Sequence, residues 1–354
     1  MSTAQVASEL SARGHEVSVF CRSADSAASF RVVCLPGLPR GKRAALEHFI
    51  GQCRHVIDSG AFDVTHSVLP IPGASVYQPR GGIVPAQIEA SVRRRPAALG
   101  GLVRFFNTFR ASQQLLARLE RQVMGEERTC ILAVSELVAQ DARRCYGCQR
   151  VRVVFNAVQV PQANDELRRQ WRQEVRAQLG LPDDWLLVLT AGHNARLKGI
   201  GCAISAHDEF RRSSGVASTL LCLGLKGKHR PLQPGQPVQT LGHVSDIFRY
   251  YSAADVVLLL SWQDACSRVI LEAVRWGVPS ITTRYNGAAE VLAEGAGIVV
   301  ESPDDSAGVA AALATMCDPA SRAHMRRACL AKADYLSIRR HVDELEALYR
   351  ELAR

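Results

Sequence analysis

No stretch of this 354-residue chain approaches the roughly 20 consecutive apolar residues needed to cross a bilayer. Its opening residues, Met1-Ser2-Thr3-Ala4-Gln5, lack the basic-then-apolar pattern of a secretion signal. A cytosolic protein is therefore expected. Internal repeats and low-complexity tracts are also missing, which argues against a solenoid or a disordered scaffold. Cysteine is present, 11 times, but an odd number cannot pair completely. Most of these residues stand singly in apolar stretches, as at Cys21, Cys34, Cys130, Cys202 and Cys222, and buried reduced thiols are expected. The lone CxxC, Cys145 to Cys148, has no second pair and no histidine close by, so it gives no zinc or redox site. What remains is an ordinary globular composition, 47% hydrophobic and 22% charged. The length suggests about two domains of roughly 150 residues each.

The net charge of +9 is unevenly placed. Between positions 91 and 123 lie Arg93, Arg94, Arg95, Arg104, Arg110, Arg118 and Arg121, with Glu120 as the single acid. Leu99, Leu102, Val103, Phe105, Phe106, Phe109, Leu115 and Leu116 are interleaved with them. Such a segment suits peripheral contact with an anionic membrane or a lipid-linked acceptor. A helix pair with a solvated basic face would read the same way. No nucleic-acid recognition motif accompanies the charge, so a nucleic-acid partner is not expected.

Short apolar runs alternate with longer amphipathic stretches, the rhythm of βαβ units and parallel sheets. Strands are predicted at 15–21, 62–67, 130–135 and 152–155, then at 185–191, 219–224, 238–241, 255–260, 280–283 and 297–300. The polar stretch 159–174 separates the two groups. This gives one domain over 1–158, a second over 159–338, and a terminal helix over 339–354. Two such domains present a cleft at the carboxyl ends of their strands.

Two segments at strand ends carry chemistry. In Ser261-Trp262-Gln263-Asp264-Ala265-Cys266-Ser267-Arg268-Val269-Ile270-Leu271-Glu272-Ala273, two acids straddle a strand-to-helix turn. The free amides of a helix start favour a phosphate, and acids on either side can grip hydroxyls, an arrangement that a nucleotide sugar matches. A capping acid and a solvated helix acid would leave the same trace. In Ala191-Gly192-His193-Asn194-Ala195-Arg196-Leu197-Lys198-Gly199, a glycine turn brings Arg196 and Lys198 to the mouth of the same sheet, where two cations could meet a diphosphate.

These motifs, with Gly242-His243-Val244-Ser245-Asp246, Ala253-Ala254-Asp255, Gly277-Val278-Pro279 and Asn286-Gly287-Ala288-Ala289-Glu290, resemble those of the GT-B glycosyltransferases of family 4, nearest the lipopolysaccharide core glucosyltransferase I group. Ala133-Val134-Ser135-Glu136 and Val154-Phe155-Asn156-Ala157-Val158 extend the resemblance into the first domain. It implies the GT-B fold, two Rossmann-like doubly wound domains facing a cleft. It further implies that Glu272 holds the ribose hydroxyls and that Asp264, one methylene shorter than the family's glutamate, contacts the transferred sugar. Lys198 then meets the diphosphate with Arg196 beside it, and Gly192 belongs to the same loop. Ser267, Arg268 and Val269 bring backbone amides to the phosphates, while Gly242, His243 and Val244 cup the base. Gln78-Pro79-Arg80-Gly81-Gly82 resembles an active-site stretch in which some relatives carry histidine; Arg80 cannot serve as a general base, but it can steady phosphate or acceptor.

The implied chemistry is retaining transfer of a hexose from a nucleotide diphosphate sugar, a UDP-sugar being expected, to a saccharide or lipid-linked acceptor such as lipopolysaccharide core. The leaving phosphate takes the acceptor's proton. No DxD stands at a strand end, so no metal and no further cofactor are expected, the arginine and lysine replacing the cation. One departure is large: the first strand and glycine loop of the family's N-terminal domain are missing, and the chain begins inside the following helix, reaching Ser11-Ala12-Arg13-Gly14-His15 at once. That departure supports an alternative, a non-catalytic nucleotide-binding or membrane-associated remnant.

Overall fold

The computed structural model describes residues 3–24, 29–37, 39–94, 111–225 and 235–353. They form two units, one of Met1–Ala157 with Ser337–Arg354 and one of Val158–Leu336.

Among the described residues of the first unit all strand pairings are parallel, and they fall in two separate sheets. β1 (Ser18–Cys21) pairs with β2 (Arg31–Cys34); β3 (His66–Ser67), β4 (Val76–Tyr77), β5 (Cys130–Ala133) and β6 (Val151–Val153) follow one another in the second. The apolar periodicity does not reveal β2 and β4: β4 has two residues and β2 is only half-buried, too little for a period-2 signal. Helices α1 (Thr3–Ala12), α2 (Lys42–Asp58), α3 (Val84–Arg93), α4 (Ala111–Gly125) and α5 (Glu136–Tyr146) accompany these strands.

Glu120 fastens several of these elements together. It lies on α4, fully buried, and accepts hydrogen bonds from Tyr77 Oη, Tyr146 Oη and the Val84 amide, each at 2.8 Å. Three donors offset much of the cost of burying the carboxylate, although burial still raises its pKa. The single acid of the basic segment is thus turned inward, and it does not neutralise the exposed Arg118 and Arg121 beside it. The terminal helix Ile338–Leu352 packs Leu345 and Leu348 on Val76, Leu132 and Val154, and His341 Nδ1 donates to the Phe155 carbonyl at 2.9 Å.

The strands of the second unit are β7 (Leu186–Ala191), β8 (Ser218–Leu223), β9 (Val238–Thr240), β10 (Val256–Leu259), β11 (Ser280–Thr283) and β12 (Gly297–Val300). They form one parallel sheet of six in the order β12-β11-β10-β7-β8-β9. β7, β8, β10 and β11 are buried throughout, which is why they read as unbroken apolar runs rather than alternations. Helices α6 (Asp165–Leu179), α7 (Ile200–Ser214), α8 (Ile247–Ala253), α9 (Arg268–Trp276), α10 (Ser306–Thr315) and α11 (Pro319–Ala331) connect and flank them. Strand order reverses between β7 and β10, which makes the carboxyl ends of these two strands the switch point where such sheets bind ligands. No helix among the described residues is long and apolar enough to cross a membrane.

Gly199 brings the loop after β7 against the end of β10. It precedes α7 at φ 64°, and a Cβ there would lie 1.9 Å from the Leu260 carbonyl oxygen. Gly199→Ala should therefore lower the stability of this unit by roughly 2–4 kcal/mol, the sum of left-handed strain and a backbone clash. Urea denaturation measures this, and an unchanged midpoint would contradict it. A second outcome concerns His207, fully buried on α7 with Nε2 3.1 Å from Ser218 Oγ. Burial, with help from Arg211, lowers its pKa from 6.5 to about 4. The unfolded chain takes up this proton near pH 6.5, so the stability that the neutral ring contributes is full above that pH and is lost as pH falls toward 4. A His207→Gln variant should then lose less stability between pH 7.5 and 5.0 than the parent, and equal losses would contradict the assignment.

Candidate functional site

The loop from Gly192 to Gly199 is built mostly from its own backbone. Asn194 Oδ1 accepts from the Leu197 amide at 3.1 Å, its carbonyl accepts from Lys198 at 2.9 Å, and the Ala195 carbonyl accepts from Ile200 at 3.0 Å. The Leu197 carbonyl then takes the Trp262 amide at 2.9 Å, which ties this loop to the segment leaving β10. Lys198 lays its stem over Gly192, where a Cβ would come within 2.8 Å of its Cγ. From there Lys198 Nζ pairs with Asp264 Oδ2. Both side chains are mostly shielded, 21% and 15% exposed, which strengthens the pair relative to a solvated one.

Asp264 is pinned on its other side as well. Its amide donates to the Tyr285 carbonyl and its carbonyl accepts from Gly287, both at 2.9 Å, in a single parallel bridge to Asn286. Asn286 is buried and ties three segments: Oδ1 accepts from the Ser267 and Ala288 amides at 3.1 Å, and Nδ2 donates to Thr282 Oγ1 at 3.0 Å. The sequence pattern does not single out Asn286 as a site residue. Its presence in the Asn286-Gly287-Ala288-Ala289-Glu290 motif is the one available signal.

Ser267 occupies the N-cap position of α9 without making a capping bond, and its Oγ is buried with no hydrogen-bond partner among the described residues. The amides of Arg268 and Val269 follow, and the first amides of a helix have no intrahelical acceptor. A hydroxyl donor and two amides thus cluster at the positive end of the helix. Glu272, one turn further, is 7% exposed and accepts from Arg268 Nη2 at 2.8 Å. Burial is the main influence on its carboxyl and raises the pKa, against the opposing pull of Arg268.

The remaining candidates are looser. Arg196 is exposed on the loop. Gly242 accepts at its carbonyl from the Gly224 amide at 2.8 Å, which sets the turn after β9 beside the end of β8. His243 next to it stacks with His193, ring centroids 6.2 Å apart and planes within 11°. Sequence reasoning misses His193 too, since a lone histidine in a loop gives no signal until its partner is known. Val244 is half-buried in the same turn. Arg80 belongs to the first unit, where its Nη1 donates to Thr3 Oγ1 at 2.9 Å and its charge, after burial, helps to lower the His66 pKa to about 4.

Two family models match the chain: "Glycosyltransferase Family 4" over residues 1–162 and "Glycosyl transferases group 1" over residues 186–318. Among curated proteins, the chain is 28% identical over 259 residues to a D-inositol 3-phosphate glycosyltransferase of Acidothermus cellulolyticus, covering 65% of this chain and 56% of that protein. The chain therefore spans little more than half the length of that relative. Among solved structures it is similar to WaaG, a glycosyltransferase involved in lipopolysaccharide biosynthesis, with TM-score 0.79, 18% identity, and 98% and 94% of the two chains covered. A second is Anabaena Alr3699/HepE in complex with UDP-glucose, with TM-score 0.68, 16% identity, and 98% and 94% covered. At these identities the structural likeness establishes the fold, and the two family models between them account for most of the sequence. The chain belongs to the GT-B-fold glycosyltransferases of family 4.

Proposed function

We propose that this protein is a retaining glycosyltransferase that moves a hexose from a nucleotide diphosphate sugar, a UDP-sugar, to a membrane-associated saccharide such as lipopolysaccharide core. The observation that carries this reading is the shielded Lys198–Asp264 pair at the switch point, with the start of α9 and Glu272 alongside. Two relatives of the same fold support the choice of donor and acceptor classes: HepE forms a complex with UDP-glucose, and WaaG is involved in lipopolysaccharide biosynthesis.

In this reading Glu272 accepts hydrogen bonds from the ribose hydroxyls. Ser267 Oγ and the amides of Arg268 and Val269 donate to the phosphates. Lys198 and Arg196 balance the charge that grows on the leaving diphosphate, the developing-charge stabilisation that accounts for much of enzymatic rate enhancement. An incoming diphosphate competes with Asp264 for Lys198 and frees the carboxylate for a sugar hydroxyl. Gly242, His243 and Val244 face the base, and Arg80 steadies the acceptor or a phosphate. The acceptor hydroxyl enters on the face the leaving group departs from and gives its proton to the departing phosphate oxygen, so no side-chain nucleophile is needed. The two lysine and arginine charges take the place of a metal.

Membrane contact is the second part of the proposal. Arg93, Arg118 and Arg121 are exposed on α3 and α4. Arg95, Arg104 and Arg110, with Phe105, Phe106 and Phe109, lie outside the described residues. A basic patch of this kind favours the anionic cytoplasmic face of a bilayer, at about 1 kcal/mol per basic residue near the surface.

Glu272→Ala should weaken UDP binding at least tenfold by calorimetry, and unchanged affinity would remove Glu272 from the ribose site. Lys198→Ala should reduce kcat/KM about 100-fold or more with a responsive donor from a panel of UDP-, GDP- and ADP-sugars. UDP binding without turnover of any donor would instead favour the non-catalytic alternative. Arg118→Glu/Arg121→Glu should reduce flotation with vesicles containing phosphatidylglycerol, and full flotation would contradict the membrane reading.

A further inference from the structure

The second unit has a concavity at the opposite end of its strands. The loops described above leave the carboxyl ends of β7 and β10, whereas Asp255 leads into β10 and Pro279 into β11 at their amino ends. There α6 and α11 border a cavity of about 460 Å³, a size ordinary for small-molecule pockets. Five arginines line it: Arg168, Arg169, Arg172, Arg322 and Arg326. Among the described residues only two carboxylates, Asp165 and Asp255, share the lining, and Asp255 is already engaged by Arg172 at 3.0 Å and by the buried Arg176 at 3.3 Å.

Part of this charge has a structural explanation. Arg168 Nη1 donates to the Trp276 carbonyl at 3.2 Å and Arg326 Nη1 to the Gly277 carbonyl at 3.3 Å, at the negative end of α9. The helix end carries about half an elementary charge, far less than these arginines bring. Each guanidinium also has five donors, and Arg168 Nε is buried with no partner among the described residues while its Cζ lies 3.9 Å from the Trp276 ring centroid. Burial, and then repulsion from Arg326, lowers the pKa of Arg168, a cost that an anion bound beside the two guanidinium groups would relieve.

We propose that this cavity is a second binding site, for a soluble phosphate monoester, gripped by Arg168, Arg169 and Arg326. Guanidinium forks match phosphate oxygens two at a time, and a hexose phosphate fits the volume. The site is separate from the donor site, yet α9 joins them: it begins at Arg268 with Glu272 one turn on, and its last residue, Trp276, lines the cavity.

The test is calorimetry on the full chain with glucose 6-phosphate, run alongside UDP. Glucose 6-phosphate should bind the parent and Lys198→Ala chains with equal affinity. The Arg169→Gln/Arg326→Gln variant, two exposed positions chosen to spare the fold, should lose at least tenfold while its unfolding midpoint is retained. Arg168→Gln should lose affinity likewise. The proposal is overturned if glucose 6-phosphate gives no binding, if Lys198→Ala abolishes it, if the arginine variants bind as the parent does, or if the chain binds only vesicles of phosphatidic acid. UDP binding in the same samples reports the donor site separately, so failure at one site does not conceal failure at the other.

Discussion

The closeness of the β7 loop to the end of β10 is the constraint on which the candidate site depends. A hydrogen atom in place of a side chain at Gly199 lets Leu260 come into contact, and the Leu197 carbonyl then binds Trp262. Once those backbones are in register, Lys198 and Asp264 have to meet, since one follows β7 and the other follows β10 on adjacent strands. Asn286 extends the same logic to β11 by holding the Ser267 amide, which fixes where α9 begins. Site geometry here is thus a consequence of main-chain hydrogen bonds, with the charged side chains placed last.

Burial divides the charged groups into two kinds. Glu120 in the first unit is shielded from solvent, holds three donors and fits a structural role. Glu272 is nearly as buried, but one of its main partners, Arg268, is about half exposed, so a ligand can compete for that contact. A desolvated carboxylate with a displaceable partner is suited to receive hydroxyl donors from a ligand. The orphaned Ser267 hydroxyl belongs to the same group, because a buried oxygen without a partner costs free energy that a bound phosphate would recover.

Much of this is legible in the sequence, for physical reasons. Strands such as Leu186–Ala191 and Val256–Leu259 are buried on both faces, so their apolar runs are unambiguous. Asp264, Glu272 and Lys198 stand in short motifs whose glycines and strand ends fix their setting. Arg31–Cys34 and Val76–Tyr77 escape detection because short or half-exposed strands have no measurable period. Glu120 reads as a surface charge, since polarity alone predicts exposure and only the tertiary fold supplies Tyr77 and Tyr146. The arginine cavity is illegible for a related reason: Arg168 and Arg326 lie far apart in the chain, and the first group reads simply as a charged linker.

The central claim is that the switch point between β7 and β10 receives a nucleotide diphosphate sugar through Lys198 and Glu272. A crystal structure of the chain soaked or grown with a UDP-sugar tests it most directly. The account predicts the diphosphate against Lys198 and the start of α9, the ribose hydroxyls within hydrogen-bond distance of Glu272, and Asp264 parted from Lys198. A UDP-sugar bound elsewhere, with the Lys198–Asp264 pair intact and Glu272 still on Arg268, would contradict it.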